Sequence, residues 1–374
     1  MNYKNIITSE NQQIKYLIKT IAFFWLITKL FSYKTWIADR IYPVIPPFDF
    51  LKNIPDYFHL ILFVIGLFIL LLILFFKINK WLLILFFLFE TMSCLLDTVR
   101  WQPWEYMYLC MLLVVITNFS KPKNIVFLFH LLFVATYLFG GLHKLNRDFL
   151  SSAWMNMILK DFLGLSLEFI LKFKLFFVGL LIPIAEILLA VFLFFLKSKK
   201  IISYLLIVMH FIILIIIGPF GLDYNSVIWF WNLAIIFILL ILYALPIKNV
   251  ERKTILSNSY WLVLWFLMPI LSFFGYWYYT FSFRLFSGKA DQLYICVKNQ
   301  NKELEPYLEA QNSKFCGDKP YVIVQNWAMS EIKSGPFPEN DIYRKIGIEI
   351  KKKYGNKNVK IYIRNKQTNK TEEL

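Results

Sequence analysis

The sequence predicts an all-α polytopic membrane protein, a bundle of about nine transmembrane helices over residues 1–277, followed by a small extramembrane α+β domain over residues 278–374. Three observations predict it. Of the 374 residues 59% are hydrophobic and only 17% are charged, whereas a soluble chain runs about 45–50% apolar and about 25% charged. The apolar residues gather in nine stretches at or near the length of about 17–25 residues that crosses a bilayer. Past Tyr278 the pattern changes to short runs that alternate apolar and polar residues. This composition excludes a disordered chain, a nucleic-acid-binding domain and a secreted disulfide scaffold for most of the length.

The nine stretches run over 15–32, 58–76, 81–96, 104–119, 124–142, 175–196, 201–217, 228–246 and 259–277. The second is the clearest, with no charge between Phe58 and Phe76. Lys19 and Lys29 interrupt the first, where long side chains snorkel toward the two faces. That stretch lacks a small-residue cleavage site, so it is expected to stay as an anchor. Between Ala153 and Lys174 the chain is amphipathic, broken by Lys160, Asp161, Glu168, Lys172 and Lys174. Helices lying in the membrane interface have this pattern.

Loop charge sets the expected orientation. The connections after the second, fourth, sixth and eighth stretches hold Lys77, Lys80, Lys121, Lys123, Lys197, Lys199, Lys200, Lys248, Arg252 and Lys253 against a single acid, Glu251. Short basic loops stay in the cytoplasm, so the N-terminus is expected inside and the C-terminal domain outside. The abundance of Lys, Ile, Asn and Phe matches an AT-rich bacterial genome, which makes the expected location a bacterial inner membrane. Much of the +16 net charge is then a topology signal, and nucleic acid is not an expected partner.

In the tail, Gln292–Lys298 and Val359–Arg364 have the period of half-buried strands. Residues 321–332 and 341–354 have helical spacing, separated by the Gly335-Pro-Phe-Pro338 breaker. The last ten residues are polar and expected to fray. Cys94 and Cys110 fall in apolar stretches, as small hydrophobes do. Cys296 and Cys316 lie in the expected exported domain, where a disulfide is allowed, although spacing alone does not bring them within bonding reach. There is no CxxC and no His/Cys spacing of a metal site, so no metal ligands are expected.

Ionisable groups inside a span cost about 2.5–3.5 kcal/mol at its centre, which makes them functional candidates. They are Glu90, His130, Lys144, Glu186 and His210, with Asp97, Arg100, Glu105 and His143 at the expected outer rim. The orientation argument collects Lys144, Asp97, Arg100 and Glu105 on that outer face. Each has a plain packing explanation. Lys144 snorkels. Asp97 and Arg100, three residues apart, form a local ion pair. Glu186, three residues after Pro183, donates as a neutral carboxyl to a carbonyl the proline frees. His130 and His210 sit neutral between helices, and Trp101 and Trp104 join an interfacial aromatic belt.

The run Tyr137-Leu-Phe-Gly-Gly-Leu-His-Lys-Leu-Asn-Arg-Asp-Phe149, followed by Trp154, resembles a motif of the vitamin K-dependent gamma-carboxylases and their bacterial relatives, the HTTM-domain membrane proteins. In both, an aromatic-rich helix ends in a small–Gly pair, then Lys-Leu-Asn/Asp and an Asp-aromatic pair before a Trp. The run Asp97-Thr-Val-Arg-Trp-Gln-Pro-Trp-Glu-Tyr-Met-Tyr108 stands where the family has its other aromatic-rich signature. His210, shortly before Gly218-Pro-Phe220, resembles a helix histidine ahead of the family's Gly-x-Phe. The similarity covers roughly residues 15–277.

The resemblance implies an outward-facing pocket centred on Lys144, with a quinone of the vitamin K type or a lipid as ligand. Lys144 matches the catalytic base, an amine kept uncharged by desolvation, with His143 and His210 in the same catalytic group. Asp97, Arg100, Trp101, Trp104, Glu105, Tyr108 and Glu186 become substrate-binding candidates. Two departures stand against peptide carboxylation. Trp104 occupies the position of a family histidine, and the family's large lumenal domain is replaced by the short tail. The alternative is a non-enzymatic scaffold, accessory or immunity-type protein whose exported domain docks a periplasmic partner. A transporter is disfavoured, because no pair of Gly/Pro-broken stretches recurs in two halves.

Overall fold

The computed structural model of the chain describes residues 7–247, 251–284, 287–288, 290–298, 301–309, 316–365 and 370–374. Lys248, one of the loop bases that orient the chain, lies outside the described residues. All nine apolar stretches are helical. They form α1 (Glu10–Phe31), α2 (Tyr57–Phe75), α3 (Lys80–Leu96), α4 (Pro103–Thr117), α5 (Pro122–Lys144), α6 (Leu181–Phe195, entered through a 3₁₀ turn at Leu175–Leu180), α7 (Lys199–Ile217), α8 (Ser226–Leu242) and α9 (Ser259–Phe274).

Only four of these are both long and apolar enough to cross a membrane: Tyr57–Phe75, Pro122–Lys144, Leu175–Phe195 and Lys199–Ile217. The expectation of nine spans is corrected by length and charge. Helix α4 has 15 residues, about 22 Å at 1.5 Å per residue, against a hydrocarbon core of about 30 Å. Helices α3 and α8 stop at 17 residues each. Helix α1 is long, but Glu10, Lys15, Lys19 and Lys29 lower its hydropathy. Helix α9 is interrupted by a π-helical stretch at Val263–Leu267 and then Pro269.

The chain divides into two compact units, each assembled from separate segments. The first comprises Met1–Thr28, Phe68–Phe87 and Pro103–Gly288. Its centre is α5, which opens with Pro122 in its first turn, where a missing N–H costs nothing. Over its apolar window 83% of α5 is buried, against 22% for Leu175–Phe195, so α5 is the internal helix and α6 flanks it. Gly140 and Gly141 let the two approach closely. A Cβ on Gly141 would lie 2.7 Å from Ile187 Cγ1 and 2.8 Å from the Pro183 carbonyl oxygen, and small residues are what permit backbones to come this near in an apolar bundle. The amphipathic region after α5 is helical, as a π-helical run at Leu150–Phe162 and a short helix at Leu167–Lys172.

The second unit comprises Lys29–Leu67, Leu88–Gln102 and Lys289–Leu374. Its sheet is antiparallel in the order β2-β1-β3-β4, formed by β1 (Gln292–Val297), β2 (Tyr321–Ile323), β3 (Val359–Arg364) and β4 (Thr371–Glu373). Helices α10 (Val324–Ile332) and α11 (Asn340–Tyr354) complete it. In β3, Val359, Ile361 and Ile363 are buried while Lys360, Tyr362 and Arg364 are less so, the period-2 signal that predicted a strand.

Two tail expectations are corrected. Tyr321–Ile323 does not begin a helix, because this aromatic and β-branched run pairs with β1 through Tyr294, Ile295 and Cys296. Nor does the C-terminal end fray throughout. Thr371–Glu373 pairs with β3, reinforced by ion pairs from Arg344 to Glu372 and from Lys360 to Glu373.

Cys296 and Cys316 are bonded, their Cα atoms 5.4 Å apart across a sequence separation of 20 residues. Closing a loop of this size restricts the unfolded chain by about 3 kcal/mol in the entropic account. Reduction is therefore expected to lower the unfolding free energy by that amount and the denaturant midpoint with it, read from tryptophan fluorescence with and without reductant. An unchanged midpoint would show that the bond contributes little to stability.

Candidate functional site

His130, Tyr137 and Lys144 are spaced seven apart on α5 and so share one helix face. Each finds a polar partner on a different neighbouring element of the first unit, giving the most buried helix a stripe of polar contacts.

At the end of α5, Lys144 Nζ lies 2.5 Å from Glu186 Oε1, with the side chains 13% and 6% exposed. Glu186 is on α6, one turn beyond Pro183. Gly140 faces it, and a Cβ there would be in ordinary contact with Glu186 Oε2, at 3.5 Å. Glu186 is thus an ion-paired carboxylate facing a lysine, in place of the expected neutral carboxyl bonded to a backbone carbonyl. Lys144 does not snorkel as a lone cation. Partnering is what lets both charges persist in such surroundings.

Midway along the stripe, Tyr137 Oη is 2.8 Å from His210 Nε2, and His210 Nδ1 is 2.6 Å from Asn232 Oδ1. Asn232 Nδ2 donates to the Ile228 carbonyl, which orients its oxygen toward the histidine. His210 therefore carries its proton on Nδ1, and Nε2 accepts from the Tyr137 hydroxyl. The third contact pairs His130 Nδ1 with Tyr243 Oη at 2.9 Å.

His143 is buried on another side of α5. Its ring stacks on Phe273, centroids 4.1 Å apart at 16°, and Nε2 is 3.2 Å from Ser272 Oγ. Because that hydroxyl donates to the Pro269 carbonyl, the hydrogen between His143 and Ser272 belongs to the histidine.

Immediately after Lys144 the chain turns. Asn146 caps the next helix, accepting from the Phe149 N–H and donating to the His143 carbonyl. A cleft of about 520 Å³ opens here, lined by Leu145, Asn146, Arg147, Leu150, Phe176, Phe177 and Leu180. Trp154, the tryptophan that closes the sequence motif, braces this region. Its Nε1 donates to the Leu175 carbonyl, and its ring covers Gly179, where a Cβ would come within 2.5 Å.

The remaining candidates fall into two groups. In the first unit, Trp104 and Tyr108 are 1% and 0% exposed, with rings 6.1 Å apart. Glu105 accepts from Trp25 Nε1 at 2.8 Å. Trp104 belongs to a packed core, which corrects its expected place in an interfacial belt. In the second unit, Asp97 is ion-paired with Arg40, and it also accepts from the Ile45 N–H. The expected Asp97–Arg100 pair is therefore corrected as well. Arg100 donates to the carbonyls of Thr35, Trp36 and Ser93 and to His59 Nδ1. Burial brings its pKa down to about 10, which leaves it charged at neutral pH. Trp101 is half-buried and donates its N–H to the Thr98 carbonyl.

Of the sequence candidates, then, Lys144 and Glu186 are in direct contact, while Asp97, Arg100 and Trp101 belong to the other compact unit. Sequence reasoning missed Tyr137, Asn232 and Tyr243 as partners of the buried histidines, and Arg40 as the partner of Asp97. The seven-residue spacing of His130, Tyr137 and Lys144 was a usable signal for Tyr137. Arg40, 57 positions from Asp97, had none.

Comparison with family models, with curated proteins and with solved structures gave no match.

Removing Arg40 would strand the Asp97 carboxylate, which is fully buried. Breaking a buried pair costs about 3–5 kcal/mol, so Arg40→Ala is expected to destabilise the protein by that amount in detergent unfolding. The double variant Arg40→Met/Asp97→Leu is expected to recover most of it. A loss below 1 kcal/mol for the single variant would contradict the assignment.

Proposed function

We propose that this chain is an integral membrane protein that holds an amphipathic ligand, a quinone or a lipid, in the cleft beginning one residue after Lys144. The observation that carries this reading is the adjacency of an apolar slot to a buried Lys–Glu pair. Binding pockets for small molecules are mostly apolar spaces of about 300–1,000 Å³ with a few placed polar groups, and this cleft falls in that range. Leu150, Phe176, Phe177 and Leu180 supply the wall for a hydrocarbon chain. Asn146 and Arg147 supply polar groups at one end, next in the chain to Lys144.

The likeness of the Tyr137–Phe149 run to the carboxylase and HTTM motif supports the same site, and it suggests the chemistry. A ligand that fills the cleft excludes water from the ion pair. Low polarity disfavours both charges, so the Lys144 proton passes to Glu186, leaving a neutral amine and a neutral carboxyl. A neutral amine at that position accepts a proton from a quinol hydroxyl. In this reading the four long apolar helices cross the membrane, a bacterial inner membrane.

Lipid extraction and native mass spectrometry of the purified protein test the proposal. The wild type is expected to retain a quinone or lipid, and Leu150→Trp, which fills the cleft, to lose it. Lys144→Ala is expected to reduce retention at least tenfold while eluting as a folded protein. Retention unaffected by either variant would overturn the reading and favour the scaffold alternative, in which the exported domain docks a partner.

A further inference from the structure

We propose that the face of α5 carrying His130, Tyr137 and Lys144 is a proton path through the bundle. The proposal rests on the membrane-spanning part of the reading above but not on the cleft or its ligand. The three polar residues cover 14 positions of one helix, about 21 Å at 1.5 Å per residue, which is most of a hydrocarbon core of about 30 Å. Helix α5 is also the most enclosed of the four long apolar helices. Packing alone does not call for a histidine, a tyrosine and a lysine on its buried face, and buried ionisable chains of this kind mark proton relays.

The hydrogen-bond directions fit transfer. Asn232 holds His210 with a proton on Nδ1 and a lone pair on Nε2. Tyr137 donates to that lone pair, leaving its own oxygen able to accept. Tyr137 makes no hydrogen bond to the Lys144–Glu186 pair, so a proton held there would reach the Tyr137 oxygen through bridging water, while the Tyr137 hydrogen passes to His210. The result is a charge-balanced exchange in which the pair loses one proton, Tyr137 stays neutral and His210 becomes imidazolium. In the other direction, His130 lies on the same face of α5 and is bonded to the Tyr243 hydroxyl, so water between Tyr137 and Tyr243 would complete that half of the path. The tyrosines pass protons without holding charge, and each histidine carries one only in passing, since burial disfavours the imidazolium.

The test uses full-length protein in phosphatidylcholine–phosphatidylglycerol vesicles that enclose a pH-sensitive dye, with a potassium gradient and valinomycin to drive proton entry. Wild-type vesicles are expected to acidify at least tenfold faster than protein-free ones. Tyr137→Phe removes one oxygen and no packing volume, and it is expected to lose at least nine-tenths of that flux while melting like the wild type. Tyr243→Phe is expected to behave likewise. Wild-type flux in Tyr137→Phe would overturn the path. Inserted protein with no flux above empty vesicles would overturn it too, leaving the membrane reading intact. Protein stripped from vesicles by alkaline carbonate would overturn both.

Discussion

A lysine buried among apolar helices is stabilised by an acid beside it, and the contact between Lys144 and Glu186 supplies one here. The two helices that carry the pair lie unusually close, which demands a glycine at 141, where a Cβ would meet Ile187 and the Pro183 carbonyl. Pro183 and Ile187 fill the surface that glycine exposes. Once α5 and α6 are set at this distance, the turn after Lys144 has its course constrained. Asn146 starts the next helix, Trp154 packs over Gly179, and the apolar cleft is left between them. A motif that reads as Gly-Gly-Leu-His-Lys in sequence is thus a spacing device followed by the charge it accommodates.

The second unit solves the same problem differently. Arg100 is fully buried, yet its direct partners are three backbone carbonyls, the Ser93 hydroxyl and a histidine nitrogen. Its charge is spread over several dipoles. Asp97 takes Arg40 and two backbone N–H groups. Glu331 on α10 accepts from the N–H groups of Ile41 and Tyr42 and from Trp327 Nε1. Lys29, expected to snorkel, is buried instead and ion-paired with Glu90 on α3, while Arg100, Asp97 and Glu331 each pin a loop or helix end, a structural role with no ligand required. Lys144 differs in keeping part of its side chain exposed beside a cleft, and that difference singles it out as a candidate.

The helical stretches were legible because each is a run of hydrocarbon long enough to exclude other structure, and the boundaries of α2 and α7 follow the apolar residues closely. The number able to span was less legible. Composition alone does not reveal that Thr117 and Leu242 end their helices early. The strands β1 and β3 announced themselves by alternation. The edge strands did not, since β2 is three residues long and β4 is Thr-Glu-Glu, whose pairing depends on β3 being present. Lys144 and Glu186 were both legible as misplaced charges, but their pairing was not. They lie 42 residues apart, and only the close approach of two helices joins them. The Asp97–Arg100 expectation failed because local spacing competes with tertiary partners, and in a buried site the better geometry prevails.

The most direct test of this account is a double-mutant cycle on Lys144→Met and Glu186→Gln, read as unfolding free energy in detergent. Each single substitution leaves one buried charge without its partner, so each is expected to destabilise by about 3–5 kcal/mol, with the double variant recovering most of the loss. Additive losses in the double variant would contradict the account, because they would mean the two groups do not stabilise each other and that the glycine-spaced helix pair is held for some other reason.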